Sequence, residues 1–199
     1  MKKQIILLTV LLAGSLKAFA DAEVGKAAPS FLINDINNKT FQLSDYKGKI
    51  VVIESINLDC PFCANHYKTG AMQELQGEMT GKGVVWLAVN SSNPKSPSYR
   101  TEAAAKKEFA GQKMKATAWL NDSNGKIGRA YGLQTTPHLI VIDSKGIVAY
   151  NGAIDSQADS DADPRKAKTN YVREAIDSLL QGKPVKEPRT KSYGCGIKY

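Results

Sequence analysis

The stretch Ile50-Val51-Val52-Ile53-Glu54-Ser55-Ile56, followed after Asn57-Leu58-Asp59 by Cys60-Pro61-Phe62-Cys63, decides how this chain is read. Segment 50–56 is a short run of β-branched residues behind the turn signal Lys47-Gly48-Lys49, the pattern of a central strand buried on both faces. From Pro61 through Met79 the chain carries helix formers with apolar positions at Phe62, Tyr67, Met72, Leu75 and Met79, and Gly81 and Gly83 supply a stop. The order is therefore strand, Cys-X-X-Cys, helix. Two thiols at such a junction can close a small ring, and the first gains from the free N–H groups and partial positive charge of a helix N-terminus. A stabilised thiolate is both nucleophile and leaving group, so Cys60 reads as the attacking thiol of a disulfide exchange and Cys63 as the resolving one. Pro61 fits the first helical turn, where a missing N–H costs little.

Working outward, segments 31–36 and 40–43 flank the Asn37-Asn38 turn and read as an N-terminal hairpin. Downstream of the motif, 84–89 reads as a second buried strand, 98–109 as an Ala-rich helix, 116–120 as a third strand and 127–131 as a short helix. Segments 139–142 and 147–150, joined by Asp143-Ser144-Lys145-Gly146, form the clearest hairpin, and Pro137-His138 precede it. Apolar residues recur at helical spacing over 171–180, closed by Gly182. The remainder, rich in Pro, Gly and Lys, reads as an extended tail, and no internal repeat or second domain is visible. The domain plan is a signal peptide over 1–20, one domain over 21–185 and a tail over 186–199.

The signal-peptide expectation rests on Lys2 and Lys3 before an apolar run from Ile5 to Leu12 and the small-residue ending Ala18-Phe19-Ala20. Gly14, Ser15 and Lys17 interrupt that run, which is short of the roughly 20 apolar residues a membrane span needs. Cleavage after Ala20 would export the chain, to the periplasm as the first expectation and as a secreted form otherwise. Loss of Lys2, Lys3 and Lys17, with no acid, lowers the net charge from +8 to +5. The remaining basic residues are interspersed with acids, which argues against a nucleic-acid partner. Three cysteines, Cys60, Cys63 and Cys195, are too few for a disulfide scaffold. A zinc site would need more ligands than the scattered His66, His138 and Cys195 offer, so no metal is expected, and no organic cofactor is needed if electrons pass through the thiols.

The strand, Cys60-Pro61-Phe62-Cys63, the helix, and a distant Thr135-Thr136-Pro137 opening a hairpin together resemble the thioredoxin superfamily. The N-terminal hairpin and the insertion between the second and third strands resemble its redoxin branch, which holds peroxiredoxins and exported thiol–disulfide oxidoreductases. The resemblance runs from about Val24 to about Leu180, and the ending Tyr193-Gly194-Cys195-Gly196-Ile197-Lys198-Tyr199 is similar to tails of peroxiredoxin-like bacterial proteins. It implies an α/β thioredoxin fold, a central mixed β-sheet flanked by helices with the N-terminal hairpin added. It also implies that Pro137 is cis beside the redox pair and shapes a substrate groove. There the Thr136 backbone would receive an extended substrate strand, with Pro61 and Phe62 lining the approach. Glu54, six residues before Cys60, matches the buried acid of thioredoxins, implying a raised pKa and a role in taking the proton from Cys63. The implied activity is dithiol–disulfide exchange with protein partners, one of which recharges the pair.

The pattern departs from peroxiredoxins at Pro-x-x-x-Thr-x-x-Cys, because the corresponding positions here are Ile53, Asn57 and Cys60. A thiol peroxidase remains an alternative, with Asn57 a candidate hydrogen-bond donor to peroxide, and a copper- or metal-binding module is another. Cys195 is open between a resolving cysteine reaching back to Cys60, an intermolecular cross-link and an idle thiol. His66, one turn beyond Cys63, reads as a solvated helix residue and is left outside the site. Trp86 and Trp119 read as core or cleft-wall aromatics, and the loop carrying Asp155, Asp159, Asp161 and Asp163 as solvated.

Overall fold

The computed structural model describes residues 22–199; the expected signal peptide lies outside the described residues. A five-stranded mixed sheet is its centre, with β3 (Val51–Ser55) in the middle. On one side β3 runs parallel to β4 (Val85–Asn90), and β4 parallel to β5 (Ala118–Asn121). On the other side β3 is antiparallel to β7 (His138–Ile142), which is hairpin-paired with β8 (Val148–Gly152). The N-terminal hairpin, β1 (Leu32–Asn34) with β2 (Thr40–Gln42), is a separate two-stranded ribbon packed against the sheet. The two-stranded pair of β6 (Thr135–Thr136) and β9 (Cys195–Gly196) is treated below.

Alternation along the strands gives the sheet two apolar faces. Val52, Trp86, Ala88, Leu139 and Val141 pack against α2 (Ala71–Gly81) and α5 (Tyr171–Leu180) through Met72, Leu75, Met79, Val172 and Ile176. Ile53, Leu87, Leu120, Ile140 and Ile142 face the N-terminal hairpin and α4 (Lys126–Ala130), meeting Phe41, Ile127 and Tyr131. Because all of β3 is buried, apolar alternation alone does not fix its register. Glu54 does. A one-residue slip would carry its carboxylate to the other face, away from its hydrogen-bond donors, and an unpaired buried carboxylate costs several kcal/mol.

Two element boundaries differ from the sequence reading. The helix expected from Pro61 through Met79 is two helices, α1 (Pro61–Lys68) and α2, because Gly70 adopts φ 82° and turns the chain between them. The helix expected to open at Ser98 is α3 (Glu102–Gly111), whose start is fixed by the Thr101 hydroxyl accepting from Ala104 N–H. Ser98 instead anchors the loop before it, accepting from Asn57 Nδ2 at 3.1 Å.

The tail over 186–199 is extended but lies along the domain. Asn151 N–H donates to Pro188 O, Thr190 Oγ1 is 2.5 Å from the Tyr150 hydroxyl, and Tyr199 Oη donates to Leu133 O. Gly152 permits this approach, since a Cβ there would collide with Thr190.

Candidate active site

Cys60 occupies the N-cap of α1 with extended backbone, and Pro61 is the first helical residue. The missing N–H of Pro61 is one that the first turn would leave unpaired in any case. Cys63, in the first turn of the helix, is fully buried, and Cys60 is nearly so. Facing them, the Thr136–Pro137 peptide bond is cis, and Thr136 presents its carbonyl 2.9 Å from Cys60 Sγ. The structure thus brings together Cys60, Cys63, Thr136 and Pro137 from two distant parts of the chain, with Phe62 half-buried beside them. All three cysteines are free thiols.

The two thiols of the motif are held in opposite directions. Burial works against ionisation of Cys60, but hydrogen bonds from the Cys195 thiol, the Thr136 hydroxyl and the Cys63 and Cys195 backbone N–H groups outweigh it, and its pKa falls below the ordinary thiol value. In the neutral state the Cys60 S–H donates to the Thr136 carbonyl, a contact that ionisation breaks. Cys63 is pushed well above the ordinary value, first by burial and then by the charge of Glu54, against which the Asn57 backbone N–H gives partial relief. The two thiols therefore differ in how readily they ionise, Cys60 more and Cys63 less readily than an ordinary thiol.

Glu54 is fully buried in the middle of β3. Its Oε1 accepts from the Tyr67 hydroxyl at 2.6 Å, and its Oε2 from Trp86 Nε1 at 2.7 Å and Gln76 Nε2 at 3.0 Å. Burial raises its pKa, and these donors, which favour the carboxylate, offset the rise only in part. Sequence reasoning found Glu54 but missed its cage. Gln76 was detectable as a polar residue inside the apolar stripe of Met72, Leu75 and Met79, whereas Tyr67 and Trp86 read as ordinary core aromatics.

Two further expectations, those for His66 and Asp155, need correction. His66 is buried rather than solvated, and its Nε2 lies 3.1 Å from the Tyr193 hydroxyl. That hydroxyl gives its one proton to Asp155 Oδ1 at 2.7 Å, so His66 must be the donor in the His66–Tyr193 bond. Burial lowers the His66 pKa to about 4. Asp155 is buried as well, unlike exposed Asp159 and Asp161 in the same loop, because Tyr193 reaches it. Asn57, the candidate peroxide donor, is already engaged by Ser98 and by Asp59 N–H. His138 is structural, bridging Gln134 N–H and Asn151 Oδ1. Among the described residues no cluster of three or more His, Cys, Asp or Glu side chains is arranged to hold a metal ion.

The chain is similar to several known proteins. A thiol–disulfide oxidoreductase ResA of Bacillus anthracis is 31% identical over 133 residues, covering 65% of this chain and 71% of that protein. An uncharacterised conserved protein of Geobacillus kaustophilus superposes with a TM-score of 0.77 at 27% identity, covering 89% of this chain and 93% of its own. An exposed lipoprotein thioredoxin of Streptococcus pneumoniae shares the fold, with a TM-score of 0.55 at 24% identity over 76% of this chain and all of its own. Fold, dithiol and relatives define a thiol–disulfide oxidoreductase of the thioredoxin fold. Within that class the chain belongs to the AhpC/TSA family, whose model matches residues 24–151.

Proposed function

We propose that the protein is exported and exchanges disulfides with protein partners, with Cys60 as nucleophile, Cys63 as resolving thiol, Glu54 as proton acceptor and the Thr136–Pro137 edge as substrate platform. The observation that carries this reading is the opposed poise of the two thiols, Cys60 lowered at a helix N-cap and Cys63 raised above a buried carboxylate. Cys60 thiolate attacks a partner's disulfide and forms a mixed disulfide, releasing one partner thiolate. Cys63 then gives its proton to Glu54 and attacks Cys60 Sγ, which frees the second partner thiolate and leaves a Cys60–Cys63 disulfide. The sequence runs backwards when the oxidised pair meets a dithiol, and a second partner resets it. Pro61 and Phe62 flank the reacting sulfur and contact the incoming strand. Export rests on the Lys2-Lys3 and apolar pattern over 1–20, and the periplasm is the compartment that reading favours.

The test uses reduced Cys195→Ser protein and a disulfide-bonded protein substrate. Exchange should end in a Cys60–Cys63 disulfide, Cys60→Ser should abolish it, and Cys63→Ser in the same background should accumulate a mixed disulfide at Cys60. An active Cys60→Ser variant would refute the assignment.

A further inference from the structure

Cys60 is only 1% exposed, and among its sulfur's partners from outside the motif are groups of the chain's own C-terminal strand. Strand β9 pairs antiparallel with β6, Thr136 opposite Cys195 and Thr135 opposite Gly196. This is the edge on which an extended substrate would lie. The Cys195 N–H donates to Cys60 Sγ at 3.3 Å, and the Cys195 thiol is itself hydrogen-bonded to Cys60.

The placement is held from both ends. On the N-terminal side Tyr193 is fixed by Asp155 and His66 and stacks obliquely on Phe62, with ring centroids 5.8 Å apart. On the C-terminal side Ile197 N–H donates to Gln134 O, Asn93 N–H to Lys198 O, and the Arg129 guanidinium lies over the Tyr199 ring. Between these anchors Gly194, at φ 113°, comes so close to the platform that a Cβ would collide with the Thr136 carbonyl oxygen. A strand paired with the backbone just before the cis proline, its cysteine opposite Thr136 and beside Cys60, has the geometry of a bound substrate.

We propose that this strand is a tethered substrate: Cys195 is a third redox-active cysteine that exchanges with Cys60 within one chain, forming a Cys60–Cys195 disulfide in the substrate groove. The inference rests on the exchange reading above and deepens it. When Cys60 carries a mixed disulfide, Cys195 loses its proton to solvent and attacks Cys60 Sγ. The Cys60–Cys195 bond forms, the bond to the partner's sulfur breaks, and the departing thiolate takes up a proton. The partner's disulfide has then gained two electrons, and the Cys60 and Cys195 thiols have lost them. Attack of Cys63 on Cys60 Sγ next gives Cys60–Cys63 and returns Cys195 to a thiol, with no net oxidation. Burial first, then the hydrogen bond to Cys60 and its charge, hold the Cys195 pKa up to about 11 in the reduced protein. The last two vanish once Cys60 is bonded to a partner, so Cys195 becomes easier to ionise at the stage where it acts. Tethering makes the attack intramolecular.

The test adds oxidised glutathione to four reduced variants and reads products by intact mass and peptide mapping. Cys63→Ser should end free of glutathione, as monomer with a Cys60–Cys195 disulfide. Cys63→Ser/Cys195→Ser should stay glutathionylated at Cys60. Cys63→Ser that keeps glutathione on Cys60, or cross-links between chains, overturns the inference. In that case a Cys60–Cys63 disulfide in Cys195→Ser leaves the parent reading standing, whereas its failure to form there sinks both. Gly194→Ala in the Cys63→Ser background should lose the Cys60–Cys195 product, and undiminished formation there would contradict the docked geometry.

Discussion

At the scale of one residue, the burial of Glu54 makes stability depend on pH. Its pKa is raised in the folded chain, so between the ordinary carboxylate value and the folded value the native state binds more protons than the unfolded one. Stability from this group is therefore greatest in acid and falls as pH rises, with a slope of at most about 1.4 kcal/mol per pH unit. His66 and His138, both lowered by burial, act in the opposite sense, since the unfolded chain binds their protons first as pH falls. The difference between wild type and Glu54→Gln isolates the Glu54 contribution: guanidinium chloride unfolding should show wild type losing stability relative to the variant as pH rises. A difference independent of pH would contradict the raised pKa. Tyr67→Phe removes the 2.6 Å donor to Glu54 and should destabilise by about 1.5–3 kcal/mol at a pH where Glu54 is ionised, and by less in acid. Kinetically, Glu54→Gln should slow release of the mixed disulfide by about 10²-fold or more, measured by quenched-flow mass analysis, while leaving the initial attack by Cys60 near its wild-type rate. The acid was legible in the sequence because one Glu interrupts an apolar strand. Of its three donors only Gln76 left a trace, as a polar residue in an apolar stripe; that Tyr67, Gln76 and Trp86 meet Glu54 from three elements is a property of packing.

At the scale of elements, strand order and hairpins followed from β-branched runs bounded by turn residues, and α5 matches its apolar spacing from Tyr171 to Leu180. The break between α1 and α2 did not, since the apolar positions Tyr67, Met72 and Leu75 continue a helical stripe across Gly70 and nothing in the stripe reveals the left-handed φ. Gly70→Ala should cost about 1–2 kcal/mol in unfolding free energy from backbone strain, because a Cβ there would meet only Glu74 Oε1 at ordinary contact distance. A cost near zero would mean that the turn is not strained by a side chain. Strand β9 is two residues long, and so is its partner β6. Neither carries a periodic signal, so the sequence could show that Cys195 had reach but not where it docks. Lifting that strand with Gly194→Ala should speed alkylation of Cys60 by about tenfold or more, equivalent to ~1.4 kcal/mol of docking free energy. An unchanged rate would mean that the tail does not shield the thiol.

For the whole molecule, the fold brings the α1 N-terminus, the cis-Pro segment and the C-terminal strand together, so Cys60, Thr136 and Cys195 meet although they span residues 60 to 195. The resemblance read from Cys60-Pro61-Phe62-Cys63 and Thr136-Pro137 carried the fold as a whole, because a strand–motif–helix unit and a hairpin with a preceding proline leave few ways to assemble one mixed sheet. What the fold adds is a cover, since the C-terminal strand lies against Cys60 and leaves it buried. The central claim is that Cys60 and Cys63 form a two-electron redox couple. The most direct measurement equilibrates the Cys195→Ser protein in glutathione and dithiothreitol buffers of graded potential and maps the disulfide formed. The account predicts one cooperative two-electron transition to a Cys60–Cys63 disulfide, with a midpoint between about −270 and −120 mV. Two thiols that stay free across that range, or a disulfide that forms only between chains, would contradict it.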